Sequence, residues 1–189
     1  MSRVVAVAAP IGGGKSALVA ALAQALGNAP TLHFDEFELA TRFSPLELNS
    51  WLESGADFNS IPAPGFVEAL RGLADSNSEF PAAERPSDYI VVELPLGRAF
   101  AATAGLVDIL IWVDTPLDLA LARNLRSLAA EAIEDSSQRT EEFLEWLVAY
   151  LDSYGELLHP ILELQRRRVC PDADLILDGR LPIDELVNL

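Results

Sequence analysis

The residues most suited to chemistry lie near the amino terminus, in the run Ala9-Pro10-Ile11-Gly12-Gly13-Gly14-Lys15-Ser16. Glycines in a tight loop allow backbone N–H groups to point at a phosphate, and a helix that begins at the loop adds the positive end of its dipole. A lysine placed here is a compact cation for the outer phosphates, and a serine hydroxyl after it is a ligand for Mg²⁺. The run predicts a phosphate-binding loop.

The spacing matches the P-loop (Walker A) pattern of Gly, four residues and Gly-Lys-Ser/Thr, except that Ala9 stands in the first glycine position. Lys15 is the only lysine among 13 basic residues, which favours a role that arginine cannot fill. The alternative is a glycine-rich turn between a strand and a helix with no function. We expect Mg·ATP to be bound by Gly12, Gly13, Gly14, Lys15, Ser16 and Ala17.

Carboxylates follow three of the predicted strands and could act on the acceptor or the metal. Asp35 and Glu36 come just after the second strand, where a carboxylate can accept the proton of an attacking hydroxyl, although a solvated turn or helix cap would look the same. Glu93 and Asp114 each end a later strand, where Mg²⁺ can be held opposite the P-loop serine. We favour Glu93, together with Ser16, because Asp114 borders a predicted helix cap at Thr115.

Arginines provide candidates for closing over a transferred phosphoryl group. Arg123 and Arg126 are three apart on a predicted helix and share a face, so they could offset phosphoryl charge or simply pair with nearby acids. Arg98 follows the Glu93 strand and is a candidate substrate residue. The two histidines, His33 and His159, are far apart and have no cysteine partners, so they make a poor metal site.

The elements that must position these residues alternate between strands and helices. Strands are predicted over 3–9, 31–34, 89–92, 107–113 and 173–177, with helices over 16–26, 66–74 and 141–168, the last one kinked at Gly155 and Pro160. A helix with a capping box begins at Ser44. Residues 77–87 are predicted as a surface connection and residues 129–140 as a polar flap. This order predicts a parallel sheet covered on both faces, with ligands at the carboxyl ends of its strands.

Composition narrows the class of protein. The chain has 189 residues, half of them apolar, and a net charge of −16, so it can bury a core but should repel nucleic acid and anionic membranes. The lone Cys170 fits a reducing compartment, and we expect a cytoplasmic protein. We expect a single domain over residues 1–189. Formation of a homodimer is left open.

The order of these parts resembles the uridine kinase-like branch of P-loop small-molecule kinases, which includes nicotinamide riboside kinases. Four segments carry the resemblance. Leu32–Glu38 resembles the family's strand ending in Asp-x-Phe-Tyr, and Asp57–Pro62 resembles its acceptor-side Phe-Asp-His-Pro segment. Tyr89–Glu93 resembles the strand with the metal-associated Glu, and Val113–Arg123 resembles the strand and helix that enter the lid. The last helix and strand, within 150–177, are also similar. Departures are Ala9, Glu38, Asn59-Ser60 and the lid sequence Arg123-Asn124-Leu125-Arg126.

The resemblance implies a three-layer α/β P-loop NTPase/kinase fold with a five-stranded parallel sheet and a helical lid, where 36–76 is an acceptor-side insertion and 123–145 a lid. It implies that Asp35 is the catalytic base, assisted by Lys15, Arg123 and Arg126, and that Asp35 and Asp57 face a small-molecule phosphoryl acceptor. The expected activity is transfer of the γ-phosphoryl of Mg·ATP to a hydroxyl of a nucleoside-like or other small metabolite. A nucleotide-dependent switch or ATPase, or a degenerate kinase acting through a protein partner, remains the alternative.

Overall fold

The computed structural model describes residues 2–39, 43–79, 87–134 and 140–188. Five strands form one sheet: β1 (Arg3–Ala8), β2 (Thr31–His33), β3 (Tyr89–Glu93), β4 (Ile109–Asp114) and β5 (Leu175–Asp178). Their spatial order is β2-β3-β1-β4-β5, and every neighbouring pair is parallel. The predicted five-stranded parallel sheet is therefore confirmed. Its carboxyl edge carries the segment after β1 that was predicted to bind phosphate.

Eight α-helices lie in the described ranges: α1 (Lys15–Ala25), α2 (Pro45–Glu53), α3 (Phe66–Glu79), α4 (Ala101–Ala104), α5 (Leu117–Glu134), α6 (Thr140–Ser153), α7 (His159–Val169) and α8 (Ile183–Val187). A capping box begins α2, as predicted: the Ser44 hydroxyl accepts from the Glu47 amide, and the Glu47 carboxylate accepts from the Ser44 amide. Among these helices, none is both long enough and apolar enough to cross a bilayer.

The apolar strands β1, β3 and β4 are buried because helices cover both faces of the sheet. On one face Val4, Ala6 and Ala8 of β1 join a cluster with residues of α3 and α7, including Phe66, Leu70 and Val169. On the other face Val5, Val7 and Ala9 pack with residues of α1 and α8, including Leu18, Val19 and Leu186. Burial on both sides explains why these strands are continuous apolar runs rather than alternating ones. The result is a three-layer α/β arrangement.

Two helical segments differ from the sequence prediction. Residues 129–134, predicted as part of a polar flap, continue α5, because the alanines and glutamates in this stretch are strong helix formers. The remainder of that flap, 135–139, lies outside the described residues, as do residues 80–86 of the predicted surface connection and 40–42 of the acceptor-side segment. Residues 77–79 of that connection extend α3.

The predicted long helix over 141–168 is one helical path with a change of winding. A π-helical turn, Tyr154–Leu158, joins α6 to α7, and Pro160 stands in the first turn of α7, where its missing N–H is tolerated. The path is therefore adjusted near Gly155 and Pro160, as expected, without an interruption of the helical winding.

Candidate functional site

The glycine run forms a tight turn between β1 and α1. Gly12 and Gly14 adopt left-handed backbone conformations, with φ of 71° and 95°, and Gly14 is the N-cap of α1. A β-carbon on Gly12 would overlap the carbonyl oxygen of Ala120 in α5, so only glycine fits there. Strand, loop and helix thus have the arrangement that directs backbone N–H groups toward a phosphate.

Lys15 begins α1, and its ammonium is turned toward the end of β3. The side chain is 8% exposed; its Nζ donates to the Pro10 carbonyl at 3.4 Å and lies 3.7 Å from Oε1 of Glu93. Glu93 is itself only 3% exposed. A buried ammonium and a buried carboxylate stabilise each other here, and the pair lies directly against the glycine loop.

Glu93 has a second partner, His33, which the sequence analysis does not predict. His33 and Glu93 are in register in the β2–β3 pair, and His33 Nδ1 lies 2.9 Å from Glu93 Oε2. The signal that could have revealed this pair is its position, because both residues end parallel strands that are neighbours in the sheet. Neighbouring in-register residues project to the same face.

Asp35 lies in a short 3₁₀ turn, Phe34–Glu36, immediately after β2. Partial desolvation raises the pKa of its carboxyl group, and the charges of Glu93 and Glu38 raise it further, whereas Lys15 and His33 lower it. Asp35 is therefore close enough to the Lys15–Glu93 pair for their charges to act on it. Asp35 thus follows the strand next to the one that ends in Glu93, and the residue remains accessible to solvent.

The oxygen ligands that could hold Mg²⁺ are those of Ser16 and Glu93. Ser16 is exposed in the first turn of α1, and Glu93 faces the same loop through Lys15. Within the described residues there is no group of three or more His, Cys, Asp or Glu side chains that could hold a metal ion by itself. A hydroxyl and a carboxylate suit a hard cation that takes its remaining ligands from phosphates and water, as Mg²⁺ does.

A cavity of about 280 Å³ lies beside Gly13, Gly14 and Ala17, next to the phosphate loop. The other residues that line it come from β4, α5 and the segment from the end of β5 into α8: Val113, Arg123, Gly179, Leu181, Pro182, Ile183 and Leu186. The Arg123 guanidinium donates a hydrogen bond to the Gly179 carbonyl at 2.8 Å, which joins α5 to the segment between β5 and α8. Arg123 therefore lies on the α8 side of the glycine loop.

Arg126 is exposed one turn further along α5. Within the described part of the chain it makes no hydrogen bond or ion pair. The two arginines therefore differ: Arg123 is held by a carbonyl, while Arg126 is free to move toward a ligand.

Two predicted substrate residues have structural partners. The Asp57 carboxylate accepts from the backbone and side-chain amides of Asn59 and caps the 3₁₀ turn Phe58–Ser60. Arg98 donates to the carbonyls of Asp108 and Asp172 and pairs with Asp174 at 2.6 Å. Those partners precede β4 and β5, so the structure places Arg98 at the amino edge of the sheet, away from the Lys15–Glu93 pair.

Asp114, the other candidate metal ligand, is committed to Arg166. Two parallel hydrogen bonds of 2.8 Å join the carboxylate to the guanidinium, and Trp112 Nε1 donates to it at 3.1 Å. The Arg166 bonds hold the pKa of Asp114 below its ordinary value. Of the two strand-ending carboxylates weighed from the sequence, it is Glu93 that faces Lys15.

Two side chains that the sequence analysis does not assign to the glycine loop donate hydrogen bonds to its backbone carbonyls. The Thr115 hydroxyl, predicted as a helix cap, instead donates to the Gly13 carbonyl at 2.9 Å. The Gln165 amide of α7 donates to the carbonyls of Ala9 and Pro95, which joins the loop to the segment after β3. No motif spacing signals either contact, because each joins segments at least 70 residues apart.

The sheet order, the helical layers and the glycine loop after β1 define a three-layer α/β P-loop fold. No protein-family profile matches the chain, and no curated protein matches it.

Solved structures do match. A shikimate kinase from Acinetobacter baumannii in complex with shikimate is similar over 100% of this chain and 90% of its own, with 14% identity and a TM-score of 0.52. A gluconokinase from Sinorhizobium meliloti 1021 is similar over 99% of this chain and 87% of its own, with 15% identity and a TM-score of 0.50. At such identities the likeness shows the fold. The uridine kinase-like branch stays a prediction.

Proposed function

We propose that this protein is a kinase that transfers the γ-phosphoryl group of Mg·ATP to a hydroxyl of a small metabolite. The observation that carries the proposal is the buried Lys15–Glu93 pair beside the glycine loop. Asp35 is close enough for the charges of both residues to act on the pKa of its carboxyl group. A phosphate-binding loop alone indicates a nucleotide, whereas a carboxylate beside it supplies a group that can activate an acceptor.

The proposed reaction assigns one role to each group. Asp35 accepts the proton of the acceptor hydroxyl, whose oxygen forms a bond to the γ-phosphorus as the bond to the β–γ bridging oxygen breaks and ADP leaves. Lys15 leaves Glu93 to contact the outer phosphates. Ser16 and Glu93 would hold Mg²⁺ or its waters, and the metal supplies charge neutralisation on the phosphates when it is bound.

The arginines of α5 have separate tasks in this proposal. Arg123 lines the cavity beside Gly13 and Gly14 and would contact the nucleoside part of ATP. Arg126, exposed and free of described partners, would turn toward the transferred phosphoryl group and offset its charge. Closure of α5 and α6 over the site would exclude water during transfer.

The acceptor is the least constrained part of the proposal. The sequence resemblance favours a nucleoside-like or ribosyl compound, whereas the matched structures are named as shikimate kinase and gluconokinase. Asp57 and Arg98 are not included among the acceptor contacts, because both are engaged elsewhere. The acceptor would lie beside Asp35, between β2 and the lid.

The test is ADP release from Mg·ATP across a panel of nucleosides, ribosides, sugars, sugar acids and shikimate, with Lys15→Ala as the blank. One acceptor that raises the rate far above the acceptor-free background would support the kinase and identify its substrate class. Asp35→Asn should then keep Mg·ATP binding and lose turnover by ~10²-fold or more. A slow rate that no acceptor changes, with nucleotide binding shown separately, would favour a nucleotide-dependent switch or a degenerate kinase.

A further inference from the structure

The His33–Glu93 contact joins the carboxyl ends of two neighbouring strands. His33 is the last residue of β2, Glu93 is the last residue of β3, and the two are in register. The imidazole is one-third exposed, while the carboxylate is 4% exposed. The contact therefore links the solvent-facing rim of the site to a carboxylate deep beneath it.

The two oxygens of Glu93 have different partners. Oε2 is 2.9 Å from His33 Nδ1, and Oε1 is 3.7 Å from Lys15 Nζ. Because a carboxylate oxygen only accepts, Nδ1 carries the proton of the shorter contact. A buried carboxylate that lost both partners would be strongly destabilised.

We propose that His33 is a positioning residue that holds Glu93 by Oε2 and so leaves Oε1 for Lys15 or, with nucleotide bound, for the waters of Mg²⁺. This inference rests on the proposed function, because Lys15 must leave Glu93 to reach the phosphates. When it does, the His33 bond remains and keeps the carboxylate in the same orientation. Without His33, Glu93 is free to turn and follow Lys15.

The alternative is that His33 only packs at the rim of the sheet. Two substitutions separate the cases. His33→Asn keeps a donor near the position of Nδ1, whereas His33→Leu keeps similar bulk and removes the donor. A positioning role requires the asparagine variant to behave like the wild type, whereas a packing role gives the two variants similar effects. His159→Leu, which removes the other histidine, is the control.

The experiment measures ADP and ATP affinity by calorimetry as Mg²⁺ is varied from zero to saturation. For His33→Leu we expect metal-free nucleotide affinity within about two-fold of the wild type and a ~10-fold loss of the gain that Mg²⁺ produces, the size usual for outer-shell partners of metal ligands. His33→Asn and His159→Leu should retain that gain. In the wild type, ¹⁵N NMR should show the Nδ1–H tautomer of His33.

Equal Mg²⁺ dependence in His33→Leu and the wild type would overturn the proposal, as would His33→Asn behaving like His33→Leu. If His33→Leu fails to fold, His33→Gln replaces it, since its donor lies one methylene further out and does not reproduce Nδ1. If the wild type binds Mg·nucleotide but turns over no acceptor, the proposed kinase activity is contradicted, while the effect of the His33 substitutions on Mg²⁺-dependent binding still tests the positioning role. If Mg²⁺ has no effect on nucleotide binding by the wild type, both the proposed kinase function and the positioning role of His33 are overturned.

Discussion

The hydroxyl of Thr115 donates a hydrogen bond to the carbonyl of Gly13 at 2.9 Å, although the two residues are 102 positions apart. Thr115 is 3% exposed, and a β-carbon on Gly179 would overlap its hydroxyl. One small side chain thus joins the phosphate loop, the end of β4 and the segment after β5. The shape of the candidate nucleotide site depends on this three-way contact.

Thr115→Val should weaken nucleotide binding while the fold is kept. The substitution preserves shape but leaves the Gly13 carbonyl buried without its donor, a loss of about 1–3 kcal/mol. We expect a lower melting temperature and up to about 10-fold weaker ATP binding, measured by thermal denaturation and calorimetry. Thr103→Val is the matched control, because Thr103 is equally buried and its hydroxyl bonds only within its own turn. Equal loss of binding in both variants would contradict the bracing role.

Gly12→Ala should abolish nucleotide binding. Gly12 has φ of 71°, and the added β-carbon would overlap the Ala120 carbonyl oxygen, so the loop and α5 must separate. Gly72→Ala is the comparison: nothing lies within 4 Å of that position in α3, and alanine there should raise stability by about 0.5–1 kcal/mol. Calorimetry with ATP and thermal denaturation measure the two effects. A Gly12→Ala variant that binds ATP normally would show that the loop is not the nucleotide site.

The pH profile of kcat/KM should have an acidic limb that reports the pKa of Asp35, at a pH above the ordinary pKa of an aspartate. Desolvation and the charges of Glu93 and Glu38 raise its pKa, and a base must be ionised to accept a proton. In a pH profile of kcat/KM, activity should therefore fall with acidification at a pH above about 4, the ordinary aspartate value. Glu38→Gln removes one of the charges that raise this pKa, so its limb should shift to lower pH. A shift to higher pH would contradict the assignment.

Asp35→Asn should leave the protein at least as stable as the wild type while activity is lost. A carboxyl group whose folded pKa is raised destabilises the folded state once the pH exceeds its unfolded value, so removal of the charge relieves that effect at pH 7. Thermal denaturation at pH 7, beside the ADP-release assay, measures both quantities. A large fall in melting temperature would indicate that Asp35 is a structural residue.

Arg123 and Arg126 should have separable effects. Arg123→Leu should weaken ATP binding by about 10-fold and leave binding of inorganic triphosphate nearly unchanged, because the guanidinium lines the cavity on the nucleoside side. Arg126→Leu should lower kcat and leave both affinities within a few-fold. Competition binding with ATP and triphosphate, together with kcat, distinguishes them. Equal weakening of both ligands by Arg123→Leu would place Arg123 on the phosphates instead.

Asp114 should contribute stability that is lost in acid. Its pKa is lowered by the hydrogen bonds from Arg166, so the contribution is present above about pH 4 and disappears as the pH falls through the lower folded value. Asp114→Asn should flatten the decline of stability below pH 4 by about 1 kcal/mol, the upper end for a partly exposed pair. Urea denaturation at stepped pH measures this, with the exposed Asp184→Asn as control. Identical curves for Asp114→Asn and wild type would refute it.

Local patterns were enough to place the central parts of the site. The glycine spacing with a lone Lys15, a carboxylate after β2 and another at the end of β3 could be assigned to one edge, because parallel strands end at a common edge of their sheet. The same rule was available for His33, which is one position from the end of the predicted strand 31–34 and is the last residue of β2. The spacing of His33 and His159 bears only on a metal site, so it does not predict the contact between His33 and Glu93.

Apolar periodicity, glycine conformation and strand polarity are local or topological properties, so they were sufficient to predict the strand–helix alternation, the glycine loop before α1 and the sheet edge to which Asp35 and Glu93 belong. Tertiary structure decided the partners. The β2–β3 register placed His33 on Glu93, and helix packing turned Arg98 toward the amino edge and Gln165 toward the loop. Such contacts join residues 60 to 156 positions apart, and only the packed fold sets the distances between them.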